Sequence, residues 1–192
     1  TEIDGFQANN LELIDGVFIT RLTNAGSIIT EGAEVDFIWQ VSDQFSLFGG
    51  MATVDATVDE FRCPVGLDTC DGRSGADLPF SPDLKYSLSG EYVWELNDMD
   101  VYLNASYVYT DEIFAGGPGT TAETNPEALL PDYGIVNASL AFSFNDDDVR
   151  ISLIGKNLTD ESFVTTYSGD NFRYQIPRDA DRYFGIQARL RY

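Results

Sequence analysis

The sequence predicts an all-β fold: antiparallel transmembrane strands, about eight of them, forming an arc of a larger barrel. Three observations carry this expectation. Apolar and polar residues alternate with period 2 in segment after segment, the connections are short and long by turns, and aromatic residues gather near the short-turn ends of the strands.

The strands are expected at 1–9, 17–41, 45–60, 83–96, 100–113, 133–145, 149–159 and 182–192. The first has the weakest pattern, because Ile3 to Asn9 lacks a clean apolar face. The second carries Val35, Phe37, Trp39 and Val41 against Glu34, Asp36, Ile38 and Gln40, with an interruption expected near Asn24 to Gly26. In the fourth, Leu84, Tyr86, Leu88, Gly90, Tyr92 and Trp94 alternate with Lys85, Ser87, Ser89, Glu91, Val93 and Glu95. In the fifth, Val101, Leu103, Ala105, Tyr107 and Tyr109 alternate with Tyr102, Asn104, Ser106 and Val108. In the sixth, Val136, Ala138, Leu140, Phe142 and Phe144 alternate with Asn137, Ser139, Ala141 and Ser143. The last is the clearest: Phe184, Ile186, Ala188, Leu190 and Tyr192 oppose Tyr183, Gly185, Gln187, Arg189 and Arg191. In a soluble sandwich such apolar faces point inward. In a membrane barrel they point to lipid, and the polar faces, here including Lys156, Arg189 and Arg191, line the lumen.

Short connections fall at Ser42-Asp43-Gln44, Asn97-Asp98-Met99 and Asn145 to Asp148, and long ones at roughly 62–81, 115–131 and 161–180. Trp39, Phe45, Trp94, Phe142, Phe144 and Tyr192 sit on apolar faces near the short turns, the placement of an interfacial aromatic girdle.

Composition agrees. The 192 residues are 43% hydrophobic and 13% aromatic, too apolar for a disordered chain. The net charge of −21 would repel phosphate backbones and excludes nucleic acid as a partner. Much of the acid lies in expected loops, as a solvated surface or as an attraction for cations. Cys63 and Cys70, separated by six residues in a Gly/Pro/Asp-rich stretch, are expected to form a disulfide that closes a loop in an oxidising compartment. The absence of His argues against a zinc site and leaves no nucleophile–base pair, so no metal, no cofactor and no enzymatic activity are expected. No apolar run is long enough for a transmembrane helix. The chain opens on Thr1-Glu2-Ile3 without Met or a basic leader, and is expected to start after processing or to be cut from something longer.

Several local patterns carry bland readings. Asn104-Ala105-Ser106, Asn137-Ala138-Ser139 and Asn157-Leu158-Thr159 match a glycosylation sequon by chance within strands. Asp146-Asp147-Asp148 is a hydrophilic tight turn rather than a calcium loop. Gly116-Gly117-Pro118-Gly119 lacks the context of a phosphate loop.

Two segments carry a family resemblance: Gly155-Lys156-Asn157-Leu158-Thr159-Asp160-Glu161, and Asp181-Arg182-Tyr183-Phe184-Gly185-Ile186 running to Tyr192, with Pro177-Arg178 leading into the final strand. Together they resemble the closing strands of TonB-dependent receptors. Asn24-Ala25-Gly26 with Glu31-Gly32-Ala33-Glu34, and Leu78-Pro79-Phe80-Ser81-Pro82, fit the same family pattern, so the resemblance covers about 17–192. It implies that 1–192 is the C-terminal part of a transmembrane β-barrel domain, without the plug domain of such receptors. It further implies a multi-pass location in the outer membrane of a Gram-negative bacterium and uptake of a scarce nutrient, above all a ferric siderophore. The implied partners are lipid and lipopolysaccharide, the TonB complex through the plug, the barrel-assembly machinery reading Tyr192, and a small-molecule ligand. Alternatives are a self-contained small barrel with a structural or adhesive role and a soluble all-β carbohydrate-binding module. Among the loops, 162–179 is richest in recognition residues: Tyr167, Asn171, Phe172, Arg173, Tyr174, Gln175 and Arg178, aromatics and arginines that suit an anionic, ring-bearing ligand.

Overall fold

A computed structural model describes residues 1–14, 17–62, 74–116, 121–145, 147–167 and 180–191. Among the described residues ten strands form: β1 (Glu2–Ile14), β2 (Val17–Gln40), β3 (Phe45–Phe61), β4 (Leu84–Leu96), β5 (Met99–Thr110), β6 (Ile113–Phe114), β7 (Leu129–Leu130), β8 (Tyr133–Phe144), β9 (Val149–Lys156) and β10 (Tyr183–Leu190). A 3-10 turn, Pro126–Ala128, precedes β7. Eight strands make one antiparallel sheet in the order β1-β2-β3-β4-β5-β8-β9-β10, and β6 and β7 form a separate hairpin. The sheet is a meander: every strand pairs with the next long strand in sequence. Among the described residues it is open, with β1 and β10 each holding one partner, and no second sheet covers it. The sandwich packing that a soluble module needs is therefore not what these strands build.

The registers explain why the alternation in sequence produces two distinct faces. Pairing sets Phe45, Tyr92, Leu103, Leu140, Leu153 and Ile186 side by side across six strands. The next row on that face is Trp94, Val101, Phe142, Ile151 and Ala188. The opposite face carries Ser46, Glu91, Asn104 and Ser139 in one row, and Glu95, Asp100, Ser143, Arg150 and Arg189 in another. One sheet thus presents an apolar face and a polar face, and a one-residue slip anywhere would exchange them. Large apolar residues stay exposed on the first face, among them Trp39, Phe184, Ile186 and Leu190.

Aromatics mark the short-turn end of the apolar face. Phe45, Tyr92 and Trp94 form a chain of ring contacts at 6.3 and 5.5 Å. Phe142 lies in Trp94's row, with Phe144 one apolar row nearer the turn. Tyr192, the last of the expected girdle, lies outside the described residues. A second cluster sits at the far end of the same face, where Tyr86 stacks on Tyr109 at 5.0 Å and touches Tyr107 at 5.9 Å.

Short turns close by side-chain chemistry. Ser42 accepts the backbone N–H groups of Gln44 and Phe45 at 3.3 and 3.1 Å. Asn97 turns between β4 and β5 at φ 56°, a left-handed conformation that Asn tolerates. Between β8 and β9, Asp147 accepts from the Ser143 hydroxyl at 2.6 Å and from Arg150 at 2.9 Å through both Nε and a terminal nitrogen. The Ser143 hydrogen bond, then the Arg150 and Arg189 charges, holds the Asp147 carboxyl below its ordinary range against the opposing effect of desolvation.

The structure departs most from the sequence expectation in four places. Strand β1 runs to Ile14 rather than stopping at 9, because β2 supplies twelve paired positions along its length. The expected interruption at Asn24 to Gly26 is not a break. It is a register irregularity inside a continuous 24-residue strand, where Gly26 faces both Phe6 and Phe61. Strand β9 ends at Lys156 rather than 159, since Asn157 turns into the left-handed region at φ 47°. The hairpin β6–β7 lies within segments read as strand end and loop.

Candidate functional site

The long connections all leave one end of the sheet, and three of them are partly described there. The chain at 74–83 does not leave the sheet cleanly. It runs back along β3 through Gly75 N to Val58 O, Val58 N to Ala76 O, Leu78 N to Ala56 O and Val54 N to Asp83 O, at 2.6–3.0 Å. Phe80, itself at φ 63°, donates its N–H to Phe114 O at 2.9 Å and so joins this segment to the β6–β7 hairpin. Beneath the hairpin Ala115, Ala128 and Leu130 are buried, giving the loop cluster a small apolar core.

Between the 74–83 segment and the hairpin lies a cleft of about 370 Å³ lined by Asp77, Asp83, Asp111, Glu112 and Glu123. The Asp83 carboxyl is held above its ordinary value, first by lost hydration and then by the like charges of Asp77, Asp111 and Asp55. The cleft is therefore a region of negative potential.

The third connection follows β9. Here Asn157 is buried, at 2% exposure. Its Nδ2 donates to Glu161 O at 2.8 Å and to Ala180 O at 2.5 Å, and its Oδ1 accepts the Glu161 N–H at 2.9 Å. Its own N–H donates to Asn137 Oδ1 on the polar face of β8 at 3.1 Å. Leu158 goes to the apolar face beside Gly155 and Phe184, while its N–H donates to Val136 O at 2.8 Å. Asp160 pairs with Arg182 at 3.2 Å across the base of the loop, a half-exposed contact of little energetic weight. A few residues on, Phe163 stacks on Tyr133 at 4.4 Å and 19°. Because Thr110 pairs with Tyr133, this ring lies on the polar face.

Of the residues expected to contact a ligand, Tyr167 is placed in the irregular segment after β9, half-buried. Asn171, Phe172, Arg173, Tyr174, Gln175 and Arg178 lie outside the described residues, as do Cys63 and Cys70 of the expected disulfide. The acidic cleft and the Tyr133–Phe163 stack were not anticipated. The apolar pairs Ile113-Phe114 and Leu129-Leu130 flanking a Gly-rich stretch were the available signal for the hairpin that closes the cleft.

The family description "TonB dependent receptor-like, beta-barrel" matches residues 1–158. The fold is similar to the ferric yersiniabactin uptake receptor FyuA from Yersinia pestis, with a TM-score of 0.71 and 18% identity over 88% of this chain and 24% of that chain. It is also similar to the siderophore receptor PiuA from Acinetobacter baumannii, with a TM-score of 0.66 and 20% identity over 88% of this chain and 22% of that one. The copper transporter OprC matches with a TM-score of 0.63 and 14% identity over 97% of this chain and 27% of that one. The chain thus spans about a quarter of the length of these structures, and at these identities the likeness is one of fold. No curated protein matches the sequence.

Proposed function

This chain belongs to the TonB dependent receptor-like β-barrel family, and on that premise we propose that it forms part of the wall of an outer-membrane receptor that takes up a ferric siderophore. The observation that carries the proposal is the pair of faces. The registers set large apolar residues on one side, whereas the amides, hydroxyls and charges fall on the other with a few small or apolar residues among them, as a wall between lipid and a wet lumen requires. Closing that wall through backbone hydrogen bonds is what lipid demands of any spanning sheet.

In this reading the long connections face outward to capture the solute. Tyr167, Asn171, Phe172, Arg173, Tyr174 and Arg178 supply ring, amide and guanidinium contacts to it. A plug carried elsewhere in the protein couples to TonB, and Tyr192 is read during barrel assembly. The solved relatives include receptors for siderophores and a transporter for copper, so the iron chelate rests on the chemistry of the loop residues and not on the fold.

The test uses the full-length protein in its own cells. It should sediment with the outer membrane. Its deletion should abolish uptake of radio-iron presented on a tris-catechol or a tris-hydroxamate chelator, and loss of TonB should have the same effect. Undiminished uptake of both chelates in the deletion strain would overturn the proposal.

A further inference from the structure

We infer that the polar face carries a binding site for an oxyanion of the solute, in which Lys156 supplies the charge and the hydroxyls and carboxamides of neighbouring strands supply the other contacts. The inference deepens the transport reading and rests on it, since it takes the polar face to line the passage that the solute enters.

The site is a hollow of about 210 Å³ on the polar face, lined by Asn104, Ser106, Asn137, Ser139, Lys156 and Gln187, with Ile154 between them. Register builds it. Ser106 pairs with Asn137, and Asn104 with Ser139, across β5 and β8. Ser139 pairs with Ile154 on β9, and Lys156, two residues further along that strand, shares its face. On β10 Gln187 joins the same face through its pairing with Ser152. Gly185, opposite Ile154, adds no side chain, and a Cβ there would meet nothing within 4 Å.

Among the described residues, none of these polar side chains is spent on another. Asn137 accepts the Asn157 N–H through Oδ1 at 3.1 Å, which leaves its Nδ2 hydrogens to donate elsewhere. The Lys156 ammonium holds no hydrogen bond or ion pair among the described residues. The short-turn end of the same face is built otherwise: there Arg150 is bound by Asp147 at 2.9 Å and lies over the Tyr102 ring at 4.4 Å. Hydroxyls and carboxamides donate or accept as a partner requires, whereas an ammonium only donates and carries a full charge. The group that satisfies the whole set is therefore an acceptor with negative charge, a carboxylate or a catecholate. Because an ammonium is a point charge on a flexible stem, it does not demand the planar fork of a carboxylate. Ile154 gives the ring or chain behind the oxyanion an apolar floor. Glu91, in the row of Asn104, lies three strands from Lys156. That is about 14 Å at the usual strand spacing, beyond the Debye length of about 8 Å at 0.15 M salt, so it leaves the Lys156 charge uncancelled.

The test uses the full-length receptor, with the ferric tris-catechol chelate as the anionic probe and the ferric tris-hydroxamate chelate as the uncharged one. In purified receptor, lysine acetylation read by mass spectrometry reports whether Lys156 is covered. Lys156 is expected to react readily without chelate, several-fold more slowly in an excess of the anionic probe, and at its original rate in the uncharged one. In cells, Lys156→Gln should raise the KM for uptake of the anionic probe about tenfold, the scale of one charge-assisted contact, and leave that of the uncharged probe unchanged. Lys156→Arg, which keeps the charge, should stay within about twofold of wild type. A Lys156 that is unreactive before any chelate is added means that another part of the protein occupies the hollow, and overturns the inference. Absence of protection by the anionic probe overturns it too, as does a K156Q receptor that loses both probes alike. The acetylation result needs no variant, so it decides the matter even if K156Q fails to assemble. A wild type that takes up neither chelate in cells brings down the ferric-siderophore reading, while protection of Lys156 in the purified receptor would still support the oxyanion site.

Discussion

Gly26 shows what a motif residue does. It sits at φ 126°, outside the reach of L side chains, and a Cβ there would run into the carbonyl of Glu60 on the neighbouring strand. Its N–H is also met by Asn24 Oδ1 at 3.3 Å, so Asn24-Ala25-Gly26 is a built irregularity that lets β2 pair past a bulge on both sides. Gly26→Ala should destabilise the full-length protein by about 1–3 kcal/mol. Gly185→Ala, where a Cβ would meet nothing within 4 Å, should cost far less. Unfolding temperatures in detergent decide this, and equal losses would refute it. Asp147 makes a second residue-level case. Because its folded carboxyl titrates below the ordinary value of 3.8, the contribution of its Ser143 and Arg150 contacts is fully present above that value. That contribution is lost as pH falls through the depressed folded value. Asp147→Asn should therefore flatten the acid limb of the unfolding curve, and an acid limb identical to wild type would reject the assignment. These details were hidden in the sequence. It showed Asn24-Ala25-Gly26 as an expected interruption and Asp146-Asp147-Asp148 as a tight turn, but the partners that make them so come from other strands.

At the scale of elements, alternation was an adequate guide wherever a long strand kept it unbroken, and it fell short in β1, which lacks a clean apolar face and yet runs to Ile14. Leu84 to Leu96 and Tyr133 to Phe144 lie within a residue of their expected bounds, because each buries nothing on a third surface and its period-2 pattern is uninterrupted. The pattern failed where strands were too short to have a period, as in Ile113-Phe114 and Leu129-Leu130. It also failed where a polar residue of apparently suitable parity left the strand, as Asn157 does. The faces themselves can be tested. Leu153 lies in the apolar row with Leu140 and Ile186, while its neighbour Ser152 lies in the polar row with Ala141 and Gln187. Leu153→Arg places a guanidinium against hydrocarbon and should cost about 2–4 kcal/mol near the bilayer midplane, whereas Ser152→Arg meets water and should cost little. Unfolding in lipid vesicles reads both. Equal costs would mean that the apolar face does not contact lipid.

At the scale of the whole molecule, the balance of charge sets what can approach. The sequence reports −21 but not its placement. At the end from which the long connections leave, the structure brings Asp77, Asp83, Asp111, Glu112 and Glu123 together along one cleft. Against them stand Arg173 and Arg178, which the sequence offers as anion contacts in the connection after β9. On the proposed uptake of an anionic chelate, the two features would pull it in opposite directions, and distance would decide between them. A contact arginine acts over a few ångströms, whereas the acidic field acts over the Debye length, about 30 Å at 0.01 M salt and about 8 Å at 0.15 M. Salt should therefore weaken the long-range repulsion while leaving the final contacts largely intact. Initial uptake of an anionic tris-catechol iron chelate is expected to rise several-fold across that range, with an uncharged tris-hydroxamate chelate nearly indifferent. A rate for the anionic chelate that falls with salt would show that attraction by the arginines outweighs the acidic rim, and the balance argued from Asp77 to Glu123 would be wrong.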